Sequence, residues 1–136
     1  HQFVIARSEL QQPASGAREV LETLRQRGLR TAIVTNGLPD LQRRKLGLTG
    51  LDALVDTVVI SGDRGLGKPH PAPFDAALSR LGVPASRAVM VGDSLANDVH
   101  GAQAAGLLAV RVAHDAVDAR DAVPTIARLP DLLRLL

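Results

Sequence analysis

The sequence predicts an α/β domain, in which helices cover both faces of a mostly parallel sheet to make a three-layer sandwich. Three observations carry this expectation. Short apolar runs rich in β-branched residues alternate with segments whose leucines and alanines recur at helical spacing. The strand–helix order repeats along the chain, as a parallel sheet with crossover helices requires. Glycines stand just past several helical patterns, where the chain must turn back. At 136 residues the chain fits one domain with a real core.

In chain order, Phe3-Val4-Ile5-Ala6 reads either as a strand or as the tail of a helix that begins upstream. The turn Pro13-Ala14-Ser15-Gly16 ends it in both cases. Ala17, Val20, Leu21 and Leu24 form an apolar helical stripe, stopped by Gly28. Residues 29–35 read as a buried strand. A second helix is expected over residues 39–46, with proline in its first turn and Gly47 beyond it. Residues 57–60 are a short strand, and Phe74, Ala77, Leu78 and Leu81 mark a third helix before Gly82. Residues 88–91 form the next strand, followed by a helix over 97–105 that Gly106 ends. Residues 108–112 are a further strand and 115–123 a polar loop. Residues 130–136 are a last short helix whose leucines pack back onto the body. The chain shows no internal repeat, low-complexity tract or second domain.

Composition narrows the function. Apolar residues make up 46% and charged residues 22%, the balance of an ordinary globular protein. Phe3 and Phe74 are the only aromatics, so a stacking platform for single-stranded nucleic acid cannot be built. The net charge of +2 rests on scattered arginines, among them Arg18, Arg25, Arg27, Arg30, Arg43 and Arg44. On predicted helix faces these read as a solvated surface rather than a nucleic-acid patch. The absence of cysteine excludes disulfide scaffolds and thiolate metal sites and agrees with a reducing, cytoplasmic location. No apolar run reaches the length of a membrane span, and no signal-peptide pattern is present. The expected partner is therefore neither nucleic acid nor membrane.

Ligands of such sheets bind beyond the carboxyl ends of the strands, where Thr35, Ser61 and Asp93 fall. Val34-Thr35-Asn36-Gly37 offers a hydroxyl and fresh backbone N–H groups, to which phosphate oxygens bond readily. Taken alone, it is an ordinary polar turn. Gly67-Lys68-Pro69-His70-Pro71 holds a lysine in a stiffened loop ahead of a helix. Gly92-Asp93-Ser94-Leu95-Ala96-Asn97-Asp98 sets two carboxylates one helical turn apart. They repel unless something positive lies between them, and Mg²⁺, which takes one or two carboxylates and keeps water or phosphate oxygens, suits the place. The bland alternative is one acid ending a strand and another starting a helix. Together, hydroxyl, fixed cation and paired carboxylates suit phosphoryl transfer. Thr35, Asn36 and Lys68 are the expected phosphate-binding residues, Asp93 and Asp98 the metal residues, and Thr35, Lys68 and Asp93 the catalytic set. His70 is expected to line the crevice, whereas His100 and His114 are expected at the surface.

In this order and spacing the motifs resemble those of the haloacid dehalogenase superfamily, over nearly the whole chain. The resemblance implies a Rossmann-like core in which Thr35 contacts the transferred phosphoryl group and Lys68 stabilises its charge and the nucleophile. It also implies that Asp93 binds Mg²⁺ with support from Asp98. Thr35-Asn36-Gly37-Leu38-Pro39-Asp40-Leu41-Gln42 is similar to the capped branch that contains bacterial pyrimidine 5′-nucleotidases. That implies hydrolysis of a small phosphate monoester, such as a nucleoside monophosphate, through an aspartyl-phosphate. Gly92-Asp93, rather than the Ser-Asn of dehalogenases, points to phosphate esters. The family's first motif, Asp-x-Asp at the end of the first strand, supplies the nucleophile, yet no Asp precedes Asp40. If residues 3–6 were that strand, Ala6, Arg7 and Ser8 would stand where the acids belong. The chain starts at His1 without methionine, and the favoured expectation is that first strand and cap lie upstream. Residues 1–136 would then be a core domain without cap or nucleophile, its central strand missing and the backbone groups of both neighbours unpaired. The alternative is a degenerate, non-catalytic binding module. Residues 62–68 also fit P-loop spacing, but Pro69 stands where that motif needs a Ser or Thr hydroxyl.

Overall fold

A strand buried on both faces is apolar throughout, and two runs meet that description: every residue of Ala32–Thr35 and Ala88–Gly92 is buried. In a computed structural model, which describes the backbone of residues 2–6 and residues 16–61, 67–113 and 123–136, these runs lie near the middle of one sheet. Its strands are β1 (Gln2–Ala6), β2 (Ala32–Thr35), β3 (Thr57–Ile60), β4 (Ala88–Gly92), β5 (Leu108–Val112) and β6 (Thr125–Ile126). They stand in the order β3-β2-β1-β4-β5-β6, every neighbouring pair parallel. The helices are α1 (Ala17–Gln26), α2 (Pro39–Thr49), α3 (Pro71–Leu81), α4 (Gly101–Ala104) and α5 (Leu132–Leu135).

The period of two divides the strands between two cores. Ile33, Val89, Val91 and Val110 join the α1 stripe of Val20, Leu21 and Leu24, with Leu46 of α2 and Leu132 of α5. Ala32, Val34, Val59, Ala88 and Met90 join Phe74, Ala77 and Leu81 of α3, with Ala102 of α4. The expected three layers are present.

The centre of the sheet differs from expectation. Residues 2–6 lie between β2 and β4, with Ile5 opposite Ile33 and residues 2–5 opposite residues 88–91. The central place is filled rather than vacant, and the strand alternative for residues 3–6 is the one observed. The pairing has a direct cause: an open slot there would leave backbone groups of two buried strands without partners.

Other differences are local. β2 begins at Ala32 rather than at residue 29, because Thr31 is tied to the loop ahead of β3. Its N–H donates to Asp56 Oδ2, and the Asp56 N–H donates to the Thr31 carbonyl. α2 runs through Gly47 and ends at Gly50, whose φ of +74° forms the left-handed cap. A helical glycine costs only about 1 kcal/mol relative to alanine, so Gly47 is no barrier. The helix expected over 97–105 starts earlier, as a π-helical segment Leu95–His100 continuous with α4. At the C terminus a 3₁₀ turn, Leu129–Asp131, precedes α5; Leu132 is buried, but Leu135 and Leu136 are exposed. The two-residue β6 was too short to read from pattern. The turn at 13–15 and most of the loop at 115–123 lie outside the described residues. The arginines are not merely solvated: Arg18, Arg25 and Arg30 donate to the carbonyls of Thr49, Ala53 and Leu81, near helix ends where carbonyls lack partners.

Candidate active site

The site is assembled at the carboxyl ends of β2 and β4 and in the loop ahead of α3. Thr35, the last residue of β2, is buried, and its hydroxyl donates to the Asn36 carbonyl at 3.2 Å. Asn36 then clamps Lys68 from both sides. Its Oδ1 accepts the Lys68 N–H at 2.8 Å, and its Nδ2 donates to the Lys68 carbonyl at 3.1 Å. Gly67 allows this approach, since a Cβ there would lie 3.0 Å from Asn36 Oδ1 and 3.2 Å from the Ser61 hydroxyl. Beyond the clamp, α3 starts with Pro71 at its first position, and His70 Nδ1 accepts the Ala72 N–H as its cap.

The Lys68 side chain is fully buried, with Nζ 2.6 Å from Asp98 Oδ1. The other Asp98 oxygen accepts the Ser94 N–H at 3.0 Å. Two features of the chain direct this carboxylate. The π-helical turn lets Ser94 O accept from both Asp98 N and Val99 N, and Ser94 Oγ accepts the Asn97 N–H. Gly92 leaves the required space, because any Cβ there would run into the Asp98 carboxylate. On the other side, Gly101 brings α4 against the lysine loop: a Cβ would stand 3.0 Å from Pro69 Cα and from Phe74 Cε2.

Burial lowers the Lys68 pKa below the ordinary lysine value, while the charge and hydrogen bond of Asp98, then the charge of Asp93, act to raise it. This bears on the acid pair at the β4 turn. The positive group that the two carboxylates demand is present as the Lys68 ammonium, which holds Asp98 directly. Asp93 is exposed at the end of β4, whereas Asp98 is fully buried. Among the described residues no group of three or more His, Cys, Asp or Glu could hold a metal. A Mg²⁺ site needs no such cluster, because this ion commonly uses one or two carboxylates beside water and phosphate oxygens. The donor set therefore fits Mg²⁺ through the exposed carboxylate of Asp93, with Asp98 behind it.

Of the expected site residues, Thr35, Asn36, Lys68 and Asp98 are joined by hydrogen bonds, and Asp93 acts on Lys68 through its charge. Ser61 is buried beside Gly67. His70 is a helix cap, His100 is exposed, and His114 and residues 62–66 of the P-loop-like run lie outside the described residues. One residue of the network was overlooked. Gln42 is buried in α2, and its Nε2 donates to the Asn36 carbonyl at 2.8 Å. Its signal was available: it stands four residues before buried Leu46, on the inward helix face, where a polar side chain is the informative exception.

A family model for haloacid dehalogenase-like hydrolases matches residues 1–106. A phosphoserine phosphatase from Thermus thermophilus is 49% identical over 96 residues, covering 71% of this chain and 39% of that protein. The pyrimidine 5′-nucleotidase YjjG of Escherichia coli is 40% identical over 106 residues, 77% of this chain and 47% of its own length. The chain thus spans less than half the length of either relative. Among solved structures, the HAD-hydrolase YfnB from Bacillus subtilis bound to magnesium superimposes with a TM-score of 0.81 at 29% identity. That match covers 90% of this chain and 55% of YfnB.

Proposed function

Since the chain belongs to the haloacid dehalogenase-like hydrolase family, we propose that its site serves Mg²⁺-dependent hydrolysis of a small phosphate monoester. The observation that carries this reading is the buried Lys68, locked by Asn36 along its backbone and by Asp98 at its ammonium, with the Thr35 hydroxyl on the carbonyl of that same Asn36. A fixed cation and a hydroxyl at the strand ends are what a phosphoryl group needs to have its charge offset without rearrangement. Thr35 and backbone N–H groups near Asn36 hold the phosphoryl oxygens. Lys68 offsets their charge, Asp93 holds Mg²⁺, and Asp98 keeps Lys68 and the turn at Ser94 in place. Mg²⁺, when bound, supplies further charge neutralisation at the phosphate.

In the complete protein an aspartate outside this chain attacks phosphorus, and water hydrolyses the resulting aspartyl-phosphate. On this reading the strand carrying that aspartate takes the central place that residues 2–6 hold here, and a cap that likewise lies outside this chain selects the substrate. The substrate is a small phosphorylated metabolite, the class to which the names of both relatives point, and not nucleic acid or membrane. The cysteine-free chain suits the cytoplasm. One observation favours a second reading: β1 already fills the central place without an aspartate, as in a phosphate-binding module that performs no catalysis.

The test uses the chain alone and the chain extended by its gene-encoded upstream segment. The extended protein should release phosphate from an aryl phosphate only with Mg²⁺, and Asp93→Asn should abolish this. Full activity in that variant removes Asp93 from the metal site. The chain alone should show no turnover; steady hydrolysis by pure material means that the nucleophile lies within it. Phosphate binding without turnover in either form establishes the second reading.

A further inference from the structure

Gln42 sits beneath the site without touching the groups assigned to the phosphoryl oxygens, and its surroundings are unusual in three ways. It is buried inside a helix, yet its Oε1 has no hydrogen-bond partner among the described residues. A buried acceptor left in that state costs stability, so packing alone does not account for a glutamine here. Its amide also occupies space that only glycine leaves. Gly37 has φ of +124°, and a Cβ there would come within 2.6 Å of Gln42 Nε2. Finally, its side-chain Nε2 donates to the Asn36 carbonyl, the same oxygen to which the Thr35 hydroxyl donates.

We propose that Gln42 is a positioning residue: it keeps the Asn36 carbonyl satisfied, so that Thr35 can turn its hydroxyl onto a phosphate oxygen while the Asn36 amide stays locked on Lys68. The Thr35 hydroxyl has one proton to donate. Donating it to a phosphate means withdrawing it from the Asn36 carbonyl, which would lose a bond at the moment of binding. Gln42 Nε2, at 2.8 Å against 3.2 Å for the hydroxyl, already holds that carbonyl more closely. The same bond fixes the residue whose side chain meets Lys68 N and O. The orphaned Oε1 is the stability given up for this arrangement.

The part concerning Thr35 rests on the phosphate-binding reading above; the part concerning Lys68 does not. Gln42→Met keeps the length and helix preference of the side chain while removing both the donor and the orphaned acceptor. The expected result is an unchanged or raised Tm, exchange of the Lys68 amide hydrogen about tenfold faster, and affinity for inorganic phosphate about tenfold weaker. Unchanged Lys68 exchange overturns the proposal. If Tm and protection fall together, Gln42→Glu decides: its protonated carboxyl can donate to the Asn36 carbonyl and its carboxylate cannot. Lys68 protection, corrected for intrinsic rate, should then be higher at pH 4 than at pH 7 in that variant alone. Failure of this recovery overturns the proposal as well. Wild-type protein that binds no phosphate refutes the phosphate-binding reading instead, and the exchange data still judge the Gln42–Asn36–Lys68 link.

Discussion

Lys68 and Asp98 are thirty residues apart, and together they form a buried ion pair with no side-chain exposure on either partner. Two charges out of water attract strongly, but each has lost its hydration, so the net contribution of such a pair to stability is small. Removing one partner is another matter, because the other charge then stays buried alone. Asp98→Asn should therefore cost about 3–5 kcal/mol in urea unfolding at pH 7. A Lys68→Met/Asp98→Leu double variant should recover most of that loss, and failure to recover would mean that the pair stabilises the fold directly. Burial lowers the Lys68 pKa in the folded state, so between that value and the unfolded 10.5 the unfolded chain binds more protons. Stability from this group accordingly rises with pH through that window, and the burial penalty is complete below it. The unfolding free energy of wild type minus that of Lys68→Met should increase as pH climbs toward 10.5. Thr35, Lys68 and the acids could be chosen from sequence because each stands beside a local signal: a strand end, a proline, a Gly-Asp turn. Gln42 could not be chosen as readily, since its role depends on the turn at Gly37, which sets the Asn36 carbonyl against its amide.

Elements matter here through how closely they approach. α4 meets the lysine loop across Gly101, and an added methyl would stand 3.0 Å from the backbone of Pro69, adjacent to Lys68. A backbone atom at 3.0 Å cannot swing aside like the end of a side chain, and Phe74 blocks the other direction. Gly101→Ala should cost about 1–3 kcal/mol by overpacking, read from thermal melting, and should weaken phosphate binding because Pro69 carries Lys68 with it. A loss of stability with phosphate affinity intact would show that the loop moves without Lys68. The π-helical segment belongs to the same construction. Its wide turn aims Asp98 back at Lys68 rather than along the helix surface, which explains why the acid is buried.

For the molecule as a whole, one sheet separates two cores and couples them. β2 and β4 contribute alternate side chains to each face, so neither face can loosen without disturbing the strands that the other uses. Phe74 is the largest fully buried side chain among the described residues, and Phe74→Ala should cost about 3–5 kcal/mol. The coupling makes a stronger statement than the magnitude: in a cooperative domain the amides of α1, on the opposite face, should lose hydrogen-exchange protection along with those of α3. Loss confined to α3 would mean that the two layers unfold separately. The filled centre of the sheet matters at this scale too, because β1 is what joins the β2–β3 side to the β4–β6 side.

Alternation of strand and helix, the start of α3 at its prolines and the placing of Thr35 and Asp93 at strand ends were all legible in the sequence. They rest on local causes: side-chain period, backbone limits of glycine and proline, and capping. Tertiary structure alone decided that residues 2–6 take the central place, that Lys68 supplies the positive charge facing Asp98, and that Gln42 underlies Asn36. The first two are choices of partner between distant parts of the chain, while the third joins residues six apart across the turn at Gly37. Such choices follow from which backbone groups and charges would otherwise be left buried without one, and no short stretch of sequence contains that information. The acid pair looked like two ligands awaiting a cation, but the fold had already given one of them to a lysine.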